Sequence, residues 1–276
     1  MSKVWFVTGS SRGLGRKFVE AALERGDKVA ATARSTASLE DLAAAHGDAV
    51  LPLAMDVTDK QAVRAAVQKA KEHFGRIDVV VNNAGYAQVG AVEELSEQEL
   101  REQMETNLFG AVWVIQAVLP HLREQKSGHI FQLSSAAGLV AMPLGGAYHA
   151  SKWALEGLNE ALAAEVAEFG IKVTIIEPAG FATRDGKNPD PLDNGHNSLA
   201  HAAYGPLRER LTKAMKGQPA GSPEAAAQAL LTLADTENPP LRVLFGTGFH
   251  PMIRKVYADR LQTWDDWQDL SRQAQG

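Results

Sequence analysis

Short apolar runs alternate with helical patterns along almost the whole chain, and no other feature restricts its fold so severely. Val4–Val7, Lys28–Ala33, Val50–Leu53, Val79–Val81, His129–Leu133, Lys172–Ile176 and Arg242–Phe245 read as strands. Their near-continuous apolar character suits strands covered on both faces, as in a parallel sheet. Between them, residues 14–25, 59–74, 150–168, 206–216 and 222–235 read as helices. The second follows Asp56-Val57-Thr58-Asp59, which can cap it. In the third, Leu155, Leu158, Leu162, Val166 and Phe169 recur three or four apart and form one face. Strand–helix–strand repetition implies right-handed crossovers. The expected fold class is therefore α/β, a doubly wound parallel sheet of about seven strands with helices on both faces.

No internal repeat and no Pro/Gly/Ser linker divides the 276 residues, so residues 1–276 are expected to form a single domain. Two segments break the rhythm. Residues 181–205 are rich in Asp, Asn, Gly and Pro and have no period, and a loop of that length inside a compact domain is usually functional or disordered. Residues 181–221 are accordingly read as a substrate loop or lid. Residues 247–276 read as a C-terminal helical extension, in which Tyr257, Leu261, Trp264, Trp267 and Leu270 recur three or four apart. That stripe suits an amphipathic helix packed on the core, a pocket lid or a subunit contact.

Composition narrows the chemistry. The chain has no cysteine, which removes disulfides, thiolate metal sites and thiol catalysis together. Eight histidines are scattered without His-Glu-x-x-His spacing, so no metal site is expected. A net charge of -5 with no long run of either sign disfavours nucleic acid and anionic membrane surfaces as partners. The opening MSKVWFVTGS is unlike a signal peptide. The most apolar stretch, Leu108–Leu122, is interrupted by Gln116 and Pro120 and is too short to span a bilayer. A cytoplasmic location is expected. Neither a Walker-type lysine motif nor a nucleophile elbow is present.

The first strand runs into Thr8-Gly9-Ser10-Ser11-Arg12-Gly13-Leu14-Gly15 and then a helix. Glycines allow a tight strand-to-helix turn and close approach of a pyrophosphate, which the helix N-terminus then holds. Gly9, Ser11, Arg12, Gly13, Leu14 and Gly15 are thus candidate contacts to a dinucleotide, and the sheet is expected to be Rossmann-like. NAD sites normally place an acid near the end of the second strand, to bond the ribose 2′-hydroxyl. Here the strand ends Thr32-Ala33-Arg34-Ser35, and the next acid is Glu40. Arg34 and Arg12 can instead hold a 2′-phosphate, so NADP(H) is expected over NAD(H).

Tyr148-His149-Ala150-Ser151-Lys152 places a phenol and an ammonium four apart on one helix face. A carbonyl receiving hydride also needs a proton, and an unperturbed phenol titrates near 10. An ammonium about 5 Å away, at an effective dielectric of about 20, contributes roughly 3 kcal/mol, enough to bring the phenol near 8. The positive nicotinamide ring would lower it further in the oxidation direction. Ser134-Ser135 follows the fifth strand at its carboxyl end, where open α/β sheets bind ligands. Ser135 can hydrogen-bond a substrate oxygen; Ser134 is the alternative, or it supports the turn. By helical geometry His149 faces away from Tyr148 and Lys152.

These motifs, in this order, resemble the classical short-chain dehydrogenase/reductase family. The resemblance is close over about residues 3–183, holds in outline over Ser222–Phe245, and rests first on the G-x3-G-x-G spacing. It implies Tyr148 as general acid/base, Lys152 tuning it and bonding the nicotinamide ribose, Ser135 polarising the carbonyl, and Asn107 holding a water in a proton relay. It further implies cofactor contacts from Asp56 and Val57 on the adenine side, from Asn83, Ala84 and Gly85 after the fourth strand, and from Pro178, Gly180, Phe181 and Thr183 beside the nicotinamide. Pro178-Ala179-Gly180 departs from the Pro-Gly of many members. The steroid- and retinol-oxidoreductase-like branch is the most similar, in the manner of NADP-dependent carbonyl reductases and hydroxysteroid dehydrogenases. Leu139, Val140, Met142, Leu144 and Phe181 are candidate pocket residues, although several could simply be core. The expectation is hydride transfer between nicotinamide and a hydrophobic ketone, aldehyde or secondary alcohol, in a homodimer or homotetramer. The alternatives are an NAD-preferring alcohol dehydrogenase, a non-catalytic NADP-sensing protein, and an epimerase or dehydratase on the same fold.

Overall fold

Seven apolar runs become seven strands of one sheet. They are β1 (Val4–Val7), β2 (Lys28–Ala33), β3 (Val50–Ala54), β4 (Val79–Asn82), β5 (Gly128–Leu133), β6 (Ile171–Pro178) and β7 (Arg242–Phe245). All neighbours are parallel, in the spatial order β3-β2-β1-β4-β5-β6-β7. The order reverses between β1 and β4, which opens a crevice at the carboxyl ends of those strands. The computed structural model describes residues 2–183, 192, 196–217 and 219–276.

Among these residues eight α-helices join the strands and two follow β7: α1 (Gly13–Glu24), α2 (Glu40–His46), α3 (Lys60–Phe74), α4 (Glu97–Met104), α5 (Gly110–Gln125), α6 (Gly146–Val166), α7 (Gly205–Met215), α8 (Pro223–Asp235), α9 (His250–Asp266) and α10 (Gln268–Gln275). Asp59 caps α3, accepting from the N–H groups of Gln61 at 2.8 Å and Ala62 at 3.0 Å. α6 starts four residues before the expected boundary, so Tyr148 lies inside its first turn. Phe169 falls outside that helix, in a 3₁₀ turn, and is 40% exposed.

The sheet is covered on both faces. Trp5 and Val7 pack with Phe18, Val19 and Ala22 of α1 and Ala226 and Leu230 of α8. Phe6, between them, points the other way, to Val63 and Val67 of α3, Val114 and Val118 of α5, and Leu162 and Val166 of α6. This is the two-residue period of a strand, with each large side chain contributing about 1.5–3 kcal/mol on burial.

Two smaller clusters hold three of the candidate pocket residues. Leu139 and Val140 pack with Ile253 of α9, against Met252 and Val256. Leu144 is buried with Val89 and Ala91, against Leu207 and Leu211 of α7. Their side chains therefore anchor the flanking helices. Met142 and Phe181 are half-buried. The first half of α9 docks on the segment after β5, and Arg260 donates to the Leu139 carbonyl at 3.2 Å while stacking over Trp153. Beyond it Leu261, Trp264, Trp267 and Leu270 are exposed. Among the described residues no helix is long and apolar enough to cross a membrane.

Candidate active site

The Gly-rich turn is packed tightly from two sides. Gly9 (φ 69°) and Gly13 (φ 62°) occupy left-handed backbone that disfavours side chains. A β-carbon at Gly9 would lie 2.9 Å from Ala84 Cα, and one at Gly15 would lie 2.3 Å from Asn83 Nδ2. One at Gly13 would lie 3.3 Å from Thr183 Cβ. Glycine here lets the turn meet both the segment after β4 and the segment after β6. Asn83 Nδ2 donates to the carbonyls of Thr8 at 2.9 Å and Gly9 at 3.1 Å. Thr8 Oγ1 accepts from the N–H groups of Asn83 and Ala84, both at 3.0 Å. Thr8 is a residue that sequence reasoning missed: a threonine ending a strand carries no local signal of such a task.

The N-terminus of α1 fits an anionic pyrophosphate. Its N-cap, Arg12, is extended and makes no side-chain cap, and no acidic residue lies in the first turn. The first N–H groups are thus left without a side-chain partner there, at the positive end of the helix dipole. Ser11, Arg12 and Arg34 are exposed and Leu14 is half-buried. Arg16, by contrast, is committed to Glu20 and Asp41. Asp56 accepts from Thr58 N at 2.9 Å and Thr58 Oγ1 at 2.8 Å, closing its own turn after β3. Val57 packs against Gly110, where a β-carbon would lie 2.8 Å from Val57 Cγ2. The Gly180 carbonyl accepts from Gly221 N at 2.8 Å, and the Phe181 ring lies over Gly221.

Three of the four expected catalytic side chains meet at the carboxyl end of β5. Lys152 Nζ lies 5.7 Å from the centre of the Tyr148 ring and donates to the Leu133 carbonyl at 2.7 Å. Ser135 Oγ accepts from Ala137 N at 3.1 Å and donates to the Pro178 carbonyl at 3.4 Å. Asn107 stands one step away, in a π turn over Glu105–Phe109 between α4 and α5. Its Oδ1 accepts from Tyr86 N at 3.1 Å, and its Nδ2 donates to Tyr86 O at 2.9 Å and Ser151 Oγ at 3.0 Å. Ser151 Oγ in turn donates to the Tyr148 carbonyl at 2.8 Å. Asn107 thus ties the chain after Gly85 to the turn of α6 that carries Tyr148.

Burial dominates the electrostatics. It pushes the Tyr148 phenol above its ordinary value, with nearby Ser135 acting in the other direction. It pulls the Lys152 ammonium down to about 8, against the charge of Glu156. His149 turns its buried ring to the segment after Ser135. Nε2 lies 2.9 Å from Met142 N and Nδ1 2.8 Å from the Ala137 carbonyl. The Met142 N–H donates to Nε2, which leaves Nδ1 facing the Ala137 carbonyl. Among the described residues no three His, Asp or Glu side chains are grouped to hold a metal.

Relatives carry the same architecture. The chain is 44% identical to an oxidoreductase of Botryotinia fuckeliana over 273 residues, covering 98% of each protein. It is 33% identical over 264 residues to a 3-ketodihydrosphingosine reductase of Bacteroides thetaiotaomicron, covering 95% of this chain and 93% of the relative. A crystal structure of a short-chain dehydrogenase from Streptomyces avermitilis superposes with a TM-score of 0.91 at 40% identity, covering 99% of this chain and 98% of the other. The family model for short chain dehydrogenases matches residues 3–191. The chain is an oxidoreductase and belongs to the short-chain dehydrogenase/reductase family.

Proposed function

We propose that this enzyme transfers hydride between NADP(H) and a hydrophobic ketone, aldehyde or secondary alcohol. The observation that carries the reading is the meeting of Ser135, Tyr148 and Lys152 at the carboxyl end of β5, in the sheet that also presents the uncapped α1 N-terminus. Bound nicotinamide supplies or accepts the hydride. In reduction, the Tyr148 hydroxyl gives its proton to the substrate oxygen as charge develops there. Ser135 donates a hydrogen bond to the same oxygen and orients it. The Lys152 ammonium favours the phenolate that remains, and the sequence of steps reverses for alcohol oxidation. The amide of Asn107 is occupied by Tyr86 and Ser151, so any relay water would be held by its main chain.

NADP(H) over NAD(H) is supported by two exposed arginines, Arg12 and Arg34, and by the lack of an acid at the end of β2. A ketone substrate accords with the named activity of the Bacteroides relative. Residues 181–221 are proposed to close over the substrate; residues 184–191, 193–195 and 218 of that segment lie outside the described residues. Exposed Phe109, beside the start of α5, and Trp153 on α6 are consistent with a homo-oligomer formed through these helices.

The test is initial-rate oxidation of NADPH and NADH against a panel of ketones and aldehydes, with Tyr148→Phe alongside. NADPH-preferring turnover that falls about 10²–10⁴-fold in the variant supports the reading. Turnover that survives the substitution overturns Tyr148 as the acid.

A further inference from the structure

Residues 196–198 close a small ladder beside the catalytic turn. Val89 N donates to the His196 carbonyl at 2.8 Å, and Ser198 N donates to the Val89 carbonyl at 2.9 Å. On the other side, Gly90 N donates to the Leu144 carbonyl at 2.8 Å. The segment after β4 is thus held between two others, and both pairings are parallel. The fit is close. A β-carbon at Gly90 would lie 2.7 Å from Ser198 Oγ, which accepts from Gln88 Nε2 at 3.0 Å. The ladder reaches the site at two points. Gly145 precedes α6, and its carbonyl accepts from His149 N at 2.8 Å, in the turn that carries Tyr148. Tyr86, three residues before Val89, has its N–H and carbonyl bonded to Asn107, and its ring centre lies 4.3 Å from that of His196.

One carboxylate fastens the chain beyond the ladder. The Glu94 side chain is 1% exposed. Its Oε2 accepts from Ala91 N at 2.7 Å, the local task of an acid at the third position of a helical turn. Its other partners are remote in sequence. Oε1 accepts from His201 N at 2.7 Å, and Arg208 of α7 pairs with Oε2. Beside it, Tyr204 Oη donates to Glu93 at 2.5 Å. Leu207 and Leu211 of α7 pack on Val89, Ala91 and Leu144. Hydrogen bonds to an ionised group are roughly twice as strong as neutral ones. Glu94 therefore holds this segment more firmly than any single bond of the ladder does.

We propose that Glu94 is a positioning residue: through His201 and Arg208 it holds residues 196–211 as a fixed wall of the substrate site, and so sets how tightly substrate is bound. The proposal rests on the reading that residues 181–221 cover the substrate. A Glu94 that served only its own turn would leave the wall in place when its charge was removed.

The test substitutes Glu94→Gln, which keeps the size of the side chain and removes its charge. Hydrogen exchange read by mass spectrometry needs no substrate. In peptides spanning 196–211 it should rise about tenfold or more, with exchange in β1 to β6 unchanged. With the panel ketone that the natural protein turns over fastest, KM should rise about tenfold while kcat stays within about threefold, because the reacting groups are untouched. Arg101→Gln, which breaks an exposed pair with Glu97, should move neither reading. Unchanged exchange in Glu94→Gln overturns the proposal, and so does raised exchange with an unmoved KM. Should that variant fail to fold by circular dichroism, Arg208→Gln replaces it under the same criteria. Turnover that survives Tyr148→Phe would overturn the acid–base reading instead, so the two failures are distinct.

Discussion

A methyl group is enough to tell the glycines of this chain apart. At Gly15 it would meet Asn83 Nδ2 at 2.3 Å and the Gly9 carbonyl oxygen at 2.4 Å, and the second of these is backbone that cannot yield. Gly15→Ala is expected to lose about 1–3 kcal/mol of stability and to weaken NADPH binding. Chemical denaturation and cofactor fluorescence titration check both. At Gly26 no atom lies within 4 Å, and only the positive φ of 88° opposes a side chain. Gly26→Ala should cost about 1–2 kcal/mol from backbone alone and leave cofactor affinity unchanged. Cofactor choice also belongs at this scale. Arg34→Asp puts a carboxylate where a 2′-phosphate would lie, and should move the ratio of kcat/KM for NADPH over NADH at least tenfold toward NADH. An unchanged ratio would remove Arg34 from the site.

At the scale of elements, α9 divides in two. Ile253 is buried against Leu139 and Val140, whereas Trp267, at the helix end, is 61% exposed. Ile253→Ala should cost about 2–4 kcal/mol. Trp267→Ala should stay within about 0.5 kcal/mol, and urea unfolding of the two variants measures the contrast. Periodicity marked the stripe from Tyr257 to Leu270 as one face; it carries no information on where along the helix the body of the protein ends. The short helix α4 was passed over although its signal was present: Ser96 and Glu99 form a reciprocal capping box. The π turn holding Asn107 has no such signature, because the extra residue is accommodated by packing against α6 and the chain after β4.

At the scale of the whole molecule, the interior makes stability depend on pH. His129 is buried, with Nε2 2.9 Å from Thr174 Oγ1, and its pKa is lowered to about 3, first by burial and then by Lys172 and Lys3. The folded form thus excludes a proton that the unfolded chain binds below about 6.5. The stabilising contribution is complete above that pH and is lost as pH falls toward 3, at up to about 1.4 kcal/mol per unit. Glu177 works in the opposite sense: its contribution is present below about 4.5 and is lost as pH rises through 7. Urea midpoints between pH 4 and 6.5 should therefore fall less steeply in His129→Gln than in the natural protein. Equal slopes would show that another group carries the acid sensitivity.

The sequence by itself determined the parallel sheet and its strand count, and it put Tyr148 and Lys152 on one helix face. Those follow from local rules: runs of Val, Ile and Ala at strand length, turn glycines, and Tyr148 four residues from Lys152. Tertiary structure alone decided which helices the apolar residues after β5 meet. Leu139 and Val140 could be pocket or core by pattern, as could Leu144; they pack with α9 and α7 respectively. It also decided that Thr8 clamps the Gly-rich turn and that Glu156 and Glu177 share Arg242. β6 and β7 are separated in the chain by more than sixty residues, so the charge that each buried carboxylate experiences is set by neighbours that no local pattern can specify.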